Sequence, residues 1–401
     1  MTYAKRFTSV KRICRTALFV LLTAVSFGSC SMTDNPKEKR ILGSKRLLKK
    51  QNIVKIAVTY SFATEQETVR HAYELAKDEI NAKGGILGGK LEVEYFDDGG
   101  MVKTATPVAY TICSDNSIPI VIQHSLSDVA IANSLIYQYY GLFQFCPIST
   151  SVDLTNLGLM NIFRNIPTDN LTGKNIAQFA ASQEWQNFLI YSSDTHGGEG
   201  ISNAFEFWSS TMDINIVDRE VYTLSDTKNI FMKQANEWIR DVPLFDAVLV
   251  AGDLPQSAEV AAAFREAGIT VPIIGGDAFS YEKFFDIAGT GKLSSNVYTV
   301  TNFEVDATDD AFLNLRKNFF ERYKMEPDLG TMQAHDALHV IAAAINECKS
   351  LNPDDISATM LSHGTWNESA GPYQFTANGD LQKGSLAVMK TENGTFVKVS
   401  N

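Results

Sequence analysis

Residues Ile118–Thr155 constrain the fold more than any other stretch of the chain. Ile118-Pro119-Ile120-Val121-Ile122 is a short β-branched run, the pattern of a strand buried in a parallel sheet. A polar break follows at Gln123–Asp128. Val129–Tyr139 then places Val129, Ala132, Leu135 and Ile136 toward one side at helical spacing. Gly141, lacking a Cβ, is suited to ending that helix. Leu142–Cys146 reads as a second buried strand and Pro147–Ser151 as a second polar loop. Two strand ends thus each open into a hydroxyl-bearing loop. In an open parallel sheet such loops gather at the carboxyl edge, where small ligands bind. Ser127 lies near the amino end of its helix, where unpaired N–H groups and the macrodipole favour an anion. An ordinary β-α-β unit with polar turns has the same pattern.

The same rhythm continues on both sides. Ile53–Tyr60 predicts the first strand and Glu65–Lys83 an amphipathic helix stopped by Gly84-Gly85. Leu91–Phe96 predicts a strand ending at Asp97-Asp98, and Thr104–Cys113 a helix. Asn161–Asn165 reads as a strand running into Pro167-Thr168-Asp169-Asn170. Beyond it, strands are expected at Trp185–Tyr191, Ile214–Tyr222, Phe245–Ala251 and Val271–Ile274, with helices at Ile201–Thr211, Asn229–Arg240 and Ser257–Ala267. Two of these strands end in acids, at Gly252-Asp253 and Gly275-Gly276-Asp277. Ala311–Tyr323, Met332–Asn346 and Pro353–Leu361 read as helices, and Leu386–Val399 as two strands around Glu392-Asn393-Gly394.

The amino terminus is read as an export signal. Lys5, Arg6, Lys11, Arg12 and Arg15 precede an apolar run, Ala17–Phe27, too short to span a bilayer comfortably. Removing the five cations of residues 1–29 from a net charge of −11 leaves −16, which argues against nucleic acid as a partner. Ser31–Gln51 is polar and rich in Lys and Arg and reads as a tether. Cys14 and Cys30 fall in the signal and at its end. Cys113, Cys146 and Cys348 remain, which is no disulfide framework. Buried thiols are expected, and a Cys113–Cys146 bridge stays open. His335 and His339 stand one helical turn apart, which raises the question of a metal. With no His-Glu-x-x-His pattern and no evident third ligand, none is expected.

Several stretches share a family pattern. Ile80-Asn81-Ala82-Lys83-Gly84-Gly85-Ile86, Lys90-Leu91 and Tyr95-Phe96-Asp97-Asp98 carry it most specifically. Ile118 through Pro147, Thr150 and Leu154-Thr155, then His335-Asp336-Ala337, Gly371-Pro372-Tyr373-Gln374-Phe375 and Asn378-Gly379-Asp380 extend it. Together they resemble the leucine/isoleucine/valine-binding family of periplasmic substrate-binding proteins, from Ile53 to Val399. Phe27-Gly28-Ser29-Cys30 resembles a bacterial lipobox, with Phe27 in place of the usual Leu. That implies lipidation at Cys30; plain secretory cleavage or an uncleaved anchor are the alternatives. The resemblance implies an α/β fold of two Rossmann-like lobes with parallel-sheet cores joined by a three-crossing hinge. Residues 1–29 would be the signal and 30–51 the tether. Residues 52–166 and 302–371 would form the first lobe, and 167–301 and 372–401 the second. Crossings are expected near Arg164–Thr168, Thr299–Phe303 and Gly371–Tyr373.

By the same resemblance, Ser127 and Thr150 would hold a ligand carboxylate on the first lobe through hydroxyl and N–H, with the backbone of Ile148 and Ser149 nearby. Asp277, where the family uses a glutamate, would hold the ammonium, with Asp253 and His335 as further contacts. The chain departs from the pattern between Tyr60 and Thr68, where it is about four residues shorter; Ser61, Phe62 and Thr64 stand in for the missing loop. Leu126 replaces the second cysteine of a disulfide found in some relatives. The implied function is a monomeric, membrane-tethered lipoprotein. It would capture a small amino acid or related carboxylate for an ABC permease, with no cofactor and no nucleic acid. A sensor of the same fold that presents its ligand to a signalling partner is the alternative. An enzyme is not expected, since there is no Gly-x-Ser-x-Gly elbow.

Overall fold

The computed structural model describes residues 35–63, 67–242, 244–281, 283–301, 310–369, 371–382 and 386–399. The signal segment, Cys30 and Thr64 lie outside these residues. Five parallel strands form the first sheet: β1 (Ile53–Tyr60), β2 (Lys90–Asp97), β3 (Ile120–Gln123), β4 (Phe143–Phe145) and β5 (Ile162–Phe163), in the order β2-β1-β3-β4-β5. The chain then builds β6 (Asn187–Ser193), β7 (Asn215–Tyr222), β8 (Ala247–Ala251), β9 (Ile273–Gly275) and β10 (Val297–Thr301). Back in the first lobe, β11 (Trp366–Glu368) pairs with β12 (Gly371–Tyr373). The final hairpin, β13 (Ala387–Glu392) and β14 (Thr395–Lys398), completes a second sheet of order β14-β13-β10-β9-β8-β6-β7. Its β10–β7 portion is parallel, and β13 joins antiparallel.

The apolar runs explain this arrangement. Every residue of β3, β4 and β8 is buried, as helices on both sheet faces require. In the first lobe the helices Glu67–Ala82 and Leu329–Cys348 cover one face, through Val69, Ala72, Ala76, Leu338 and Ile341. Val102–Ser114 and Ser127–Tyr139 cover the other. The second lobe has its own two cores, one rich in aromatic rings around Tyr191, Trp238 and Phe264. Among the described residues no helix is long and apolar enough to cross a membrane.

Two expectations are corrected. The tether is not unstructured over most of its length. Pro36–Gln51 is a helix capped by Asn35, and Arg40 and Ser44 on it are buried against the first lobe. Its charges misled the reading, because a buried arginine with enough carbonyl partners looks like a solvated one in sequence. The third crossing is also later than Gly371–Tyr373. Tyr373 and Phe375 belong to the first core, where Phe375 meets Phe145 and Phe163 edge-on. A bridge pairs Phe375 with Leu381, so residues 372–382 stay with the first lobe. Of the second expected crossing, Thr299–Thr301 belong to β10 and residues 302–303 lie outside the described residues. Cys113, Cys146 and Cys348 are free thiols, the first two buried.

Candidate functional site

The carboxyl ends of β3 and β4 meet where the sequence places them. The helix starting at Ser127 and the loop after Cys146 lie side by side, and the Ser127 hydroxyl accepts from the Ser151 N–H at 3.2 Å. An oxygen that accepts there still has its own proton to donate. Thr150 is buried, and its carbonyl accepts from the Asp169 N–H across the first crossing at 3.0 Å. Ile148 is half-buried. Ser149 is different: its hydroxyl donates to the Ser125 carbonyl at 2.6 Å and its own carbonyl accepts from Arg164 at 2.8 Å. Those groups fix the loop and are not presented to a ligand.

Arg164 is the organiser of this loop and was not singled out in the sequence. Fully buried, it donates from Nη1 to the Ser149 and Ser151 carbonyls, each at 2.8 Å, and from Nη2 to Thr155 Oγ1 at 2.9 Å. Its Nε lies 2.8 Å from Asp380 Oδ1, an ion pair without hydrogen-bond alignment. The cation therefore grips the residues on both sides of Thr150.

The opposite wall carries acids. The helix His196–Ser209 begins with Thr195 as cap, and its first turn is ringed by carboxylates. Asp128 of the first lobe pairs with His196 Nδ1 at 2.7 Å, holding the lobes together. Asp253 lies beside Gly197, and Asp169 lies so close to Gly200 that a Cβ there would meet Oδ2 at 2.1 Å. Glycine at 200 thus lets the helix pass over a carboxylate. Asp169 is 1% exposed. The Thr150 hydroxyl is near enough to favour its charge, yet neither Asp169 oxygen is in hydrogen-bond geometry with a described residue. Burial, reinforced by Asp277 and Asp253, pushes its carboxyl well above the ordinary value. Sequence reading placed Asp169 in the Pro167–Asn170 crossing and did not single it out as a site residue.

Asp253 and Asp277 keep some accessible surface, but the surrounding protein displaces enough water to matter. Burial, then Asp277 and Asp128, push Asp253 up to about 7. Burial pushes Asp277 up to about 6, against the pull of its own N–H and that of Ala278. Because these acids bind protons more tightly folded than unfolded, they make stability fall as pH rises from about 4 to 7. An ammonium placed among them has the opposite preference, since it favours the ionised acids. The affinity of an amino-acid ligand is therefore expected to increase from pH 5 to pH 8, by calorimetry, roughly tenfold for one acid that must ionise. A flat profile would show that no ammonium meets these carboxylates.

His335 is not brought to this cleft wall. Its Nε2 faces Glu79 Oε2 at 3.0 Å and its Nδ1 faces Asp336 at 3.3 Å. Burial disfavours its proton, but Asp336 and Glu79 outweigh this and raise the imidazole to about 9. Ser61, at the end of β1, is buried with no partner for its hydroxyl among the described residues, and Phe62 is exposed. A groove of about 550 Å³ between the lobes, lined by Ser151, Thr168, Asn170, His196 and Asp380 among others, borders this region without including Thr150, Asp253 or Asp277.

Two sheets with facing strand ends, linked by the chain's repeated passage, are the architecture of a two-lobed binder. Residues 54–395 match the periplasmic binding protein family. The chain belongs to that family. It is similar to a Leu/Ile/Val-binding protein of Rhizobium johnstonii, 28% identical over 346 residues, 85% of this chain and 91% of that one. A leucine-, isoleucine-, valine-, threonine- and alanine-binding protein of Pseudomonas aeruginosa is 23% identical over 375 residues, covering 92% and 94%. An ABC transporter substrate-binding protein of Desulfitobacterium hafniense, solved in complex with Leu, superposes with a TM-score of 0.76 at 26% identity, covering 86% of this chain and all of that one. This periplasmic binding protein therefore has the fold its sequence pattern implied, and its relatives are solute binders.

Proposed function

We propose that the protein is an extracytoplasmic solute-binding lipoprotein, anchored through Cys30, that takes up a small amino acid between its lobes for an ABC importer. The observation that carries the ligand class is Asp169, a buried acid with no hydrogen-bond partner for either oxygen among the described residues, beside the Thr150 loop. A buried acid in that state costs free energy until a cation meets it. Asp277 and Asp253 add negative charge on the same side, and the Ser127 and Thr150 hydroxyls suit the ligand's carboxylate. Relatives named for binding branched-chain amino acids and for ABC transport support this reading. The protein acts as a monomer and without turnover of its solute. A sensor of the same fold would use the same site; a permease that co-purifies with this protein favours import.

A thermal-shift screen of amino acids, amides, polyamines and short carboxylates tests the ligand, because binding raises the melting temperature by mass action. Amino acids are expected to stabilise. Thr150→Val should cost about 1–3 kcal/mol of their binding, the value of a hydrogen bond to a charged group. Asp277→Asn should weaken amino acids and spare carboxylates without an ammonium. Hits confined to sugars or uncharged amides, unaffected by Asp277→Asn, would sink the amino-acid reading.

A further inference from the structure

The fold supplies what the sequence lacked beside His335 and His339. The helix Leu329–Cys348 presents both imidazoles on one face, with ring centroids 4.4 Å apart. Glu79, more than two hundred and fifty residues earlier, reaches them from the helix Glu67–Ala82. Its Oε2 lies 3.0 Å from His335 Nε2 and 3.1 Å from His339 Nε2. All three donor atoms fall within 4.8 Å of one another. We propose that Glu79, His335 and His339 form a binding site for one divalent transition-metal ion of the zinc class.

The geometry fits such an ion. Metal bonds of about 2.0–2.1 Å at tetrahedral angles hold neighbouring donors ~3.3 Å apart. The two carboxylate–imidazole separations need widening by only a few tenths of an ångström, and the donor nitrogens of the two rings lie within 4.8 Å of each other. Two nitrogens and one oxygen select zinc-like ions over magnesium or calcium, which prefer oxygen shells.

The supporting shell is in place. His335 turns its other nitrogen to Asp336, the carboxylate–histidine arrangement that orients a metal-bound ring. Asp336 is itself held by the Tyr373 hydroxyl at 2.8 Å and by Ser369. Asn318 donates to the other oxygen of Glu79 at 3.2 Å, which fixes that carboxylate. An ion pair would need one ring on Glu79. The second ring on the same oxygen and the carboxylate behind the first add little to an ion pair, but a metal site uses both.

The trio lies on a surface cavity of about 430 Å³ that Glu368 also lines. An ion can therefore enter, and Glu368 or water can take the fourth position. Asp336, which stands between the histidines in sequence, is committed to Tyr373 and Ser369. It does not serve as the base of a zinc hydrolase, so the site is for binding. By joining Glu67–Ala82 to Leu329–Cys348, the ion would staple the two chain segments that cover one face of the first lobe.

The test uses the untagged full chain, stripped with chelator, and Zn²⁺ and Co²⁺ as probes. One Zn²⁺ per chain is expected by calorimetry, with a rise in melting temperature, and Co²⁺ should give the intense visible bands of tetrahedral coordination. His339→Gln and Glu79→Gln should each weaken Zn²⁺ at least about 100-fold and abolish the Co²⁺ bands. Circular dichroism of both variants should match the parent, and their amino-acid affinity should be unchanged. Wild-type protein that binds Zn²⁺ no more tightly than His339→Gln overturns the assignment, as does a Co²⁺ spectrum like that of the aquo ion. Retention of wild-type affinity by Glu79→Gln places the ion elsewhere and overturns it too.

Discussion

Arg164→Met is expected to lower the stability of the protein by about 3–5 kcal/mol, the cost of breaking a buried ion pair from one side. The guanidinium is wholly buried and serves the carbonyls of Ser149 and Ser151, the Thr155 hydroxyl and Asp380. Methionine fills similar volume but leaves two carbonyls and a largely buried carboxylate without their cation. Thr155 still donates to Asp380 at 3.0 Å, which compensates only in part. The same substitution loosens the loop that displays Thr150, so amino-acid binding should weaken together with stability. Urea denaturation measures the first effect and calorimetry the second. Replacing Asp380 with Leu in the same protein should recover part of the loss, because no charge then remains unpaired. A loss under about 1 kcal/mol would mean that water, not Arg164, satisfies these groups.

The difference between what the sequence showed and what it hid follows from physical range. Parallel strands covered on both faces are mostly apolar, so β3, β4 and β8 were legible as buried runs despite Gln123 and Gln144. The helices read at Val129–Tyr139 and Ser257–Ala267 followed from turn residues and periodicity, and start two and one residues earlier in the structure. The carboxyl edge of the first sheet was legible too, since it needs only the ends of adjacent strands. Pairings across the chain were not. Glu79 meets His335 and His339 through helix packing, and nothing at Glu79 itself marks it. Asp169 read only as part of the first crossing, and its packing under Gly200, with no hydrogen-bond partner among the described residues, shows in the structure alone. Ser149 was expected to offer only backbone beside Thr150, and its hydroxyl does turn inward to Ser125. Alternation of side chains along a loop decides that, and a run of Ile-Ser-Thr-Ser does not reveal its phase.

Arg40 is another buried guanidinium, and Arg40→Met should cost about 2–4 kcal/mol, more than one charged hydrogen bond and less than the sum of several. Its partners are all backbone carbonyls. Nε donates to Tyr140 at 2.9 Å, Nη1 to Asp115 at 2.8 Å and Ile118 at 2.6 Å, and Nη2 to Cys113 at 2.7 Å. Cys113 and Asp115 end the helix Val102–Ser114, and Tyr140 ends Ser127–Tyr139. One cation therefore meets the negative ends of two helices and carbonyls with no partner inside them. The supporting helix is packed closely: a Cβ on Gly43 would meet the Asn116 carbonyl oxygen at 2.3 Å. Lys37 pairs with Asp354, and Leu48 packs on the first core. This helix belongs to the lobe, and that changes the anchoring geometry. If Cys30 carries lipid, only residues 31–35 separate it from folded protein, a reach of about 17 Å when extended. The first lobe would then ride close to the bilayer. In Arg40→Met the helix should detach, with an earlier urea midpoint and with protease cleavage within Pro36–Gln51 before the rest of the chain is cut. A variant that unfolds like wild type and keeps this segment protected would show that the docking rests on apolar contacts such as Leu48 instead.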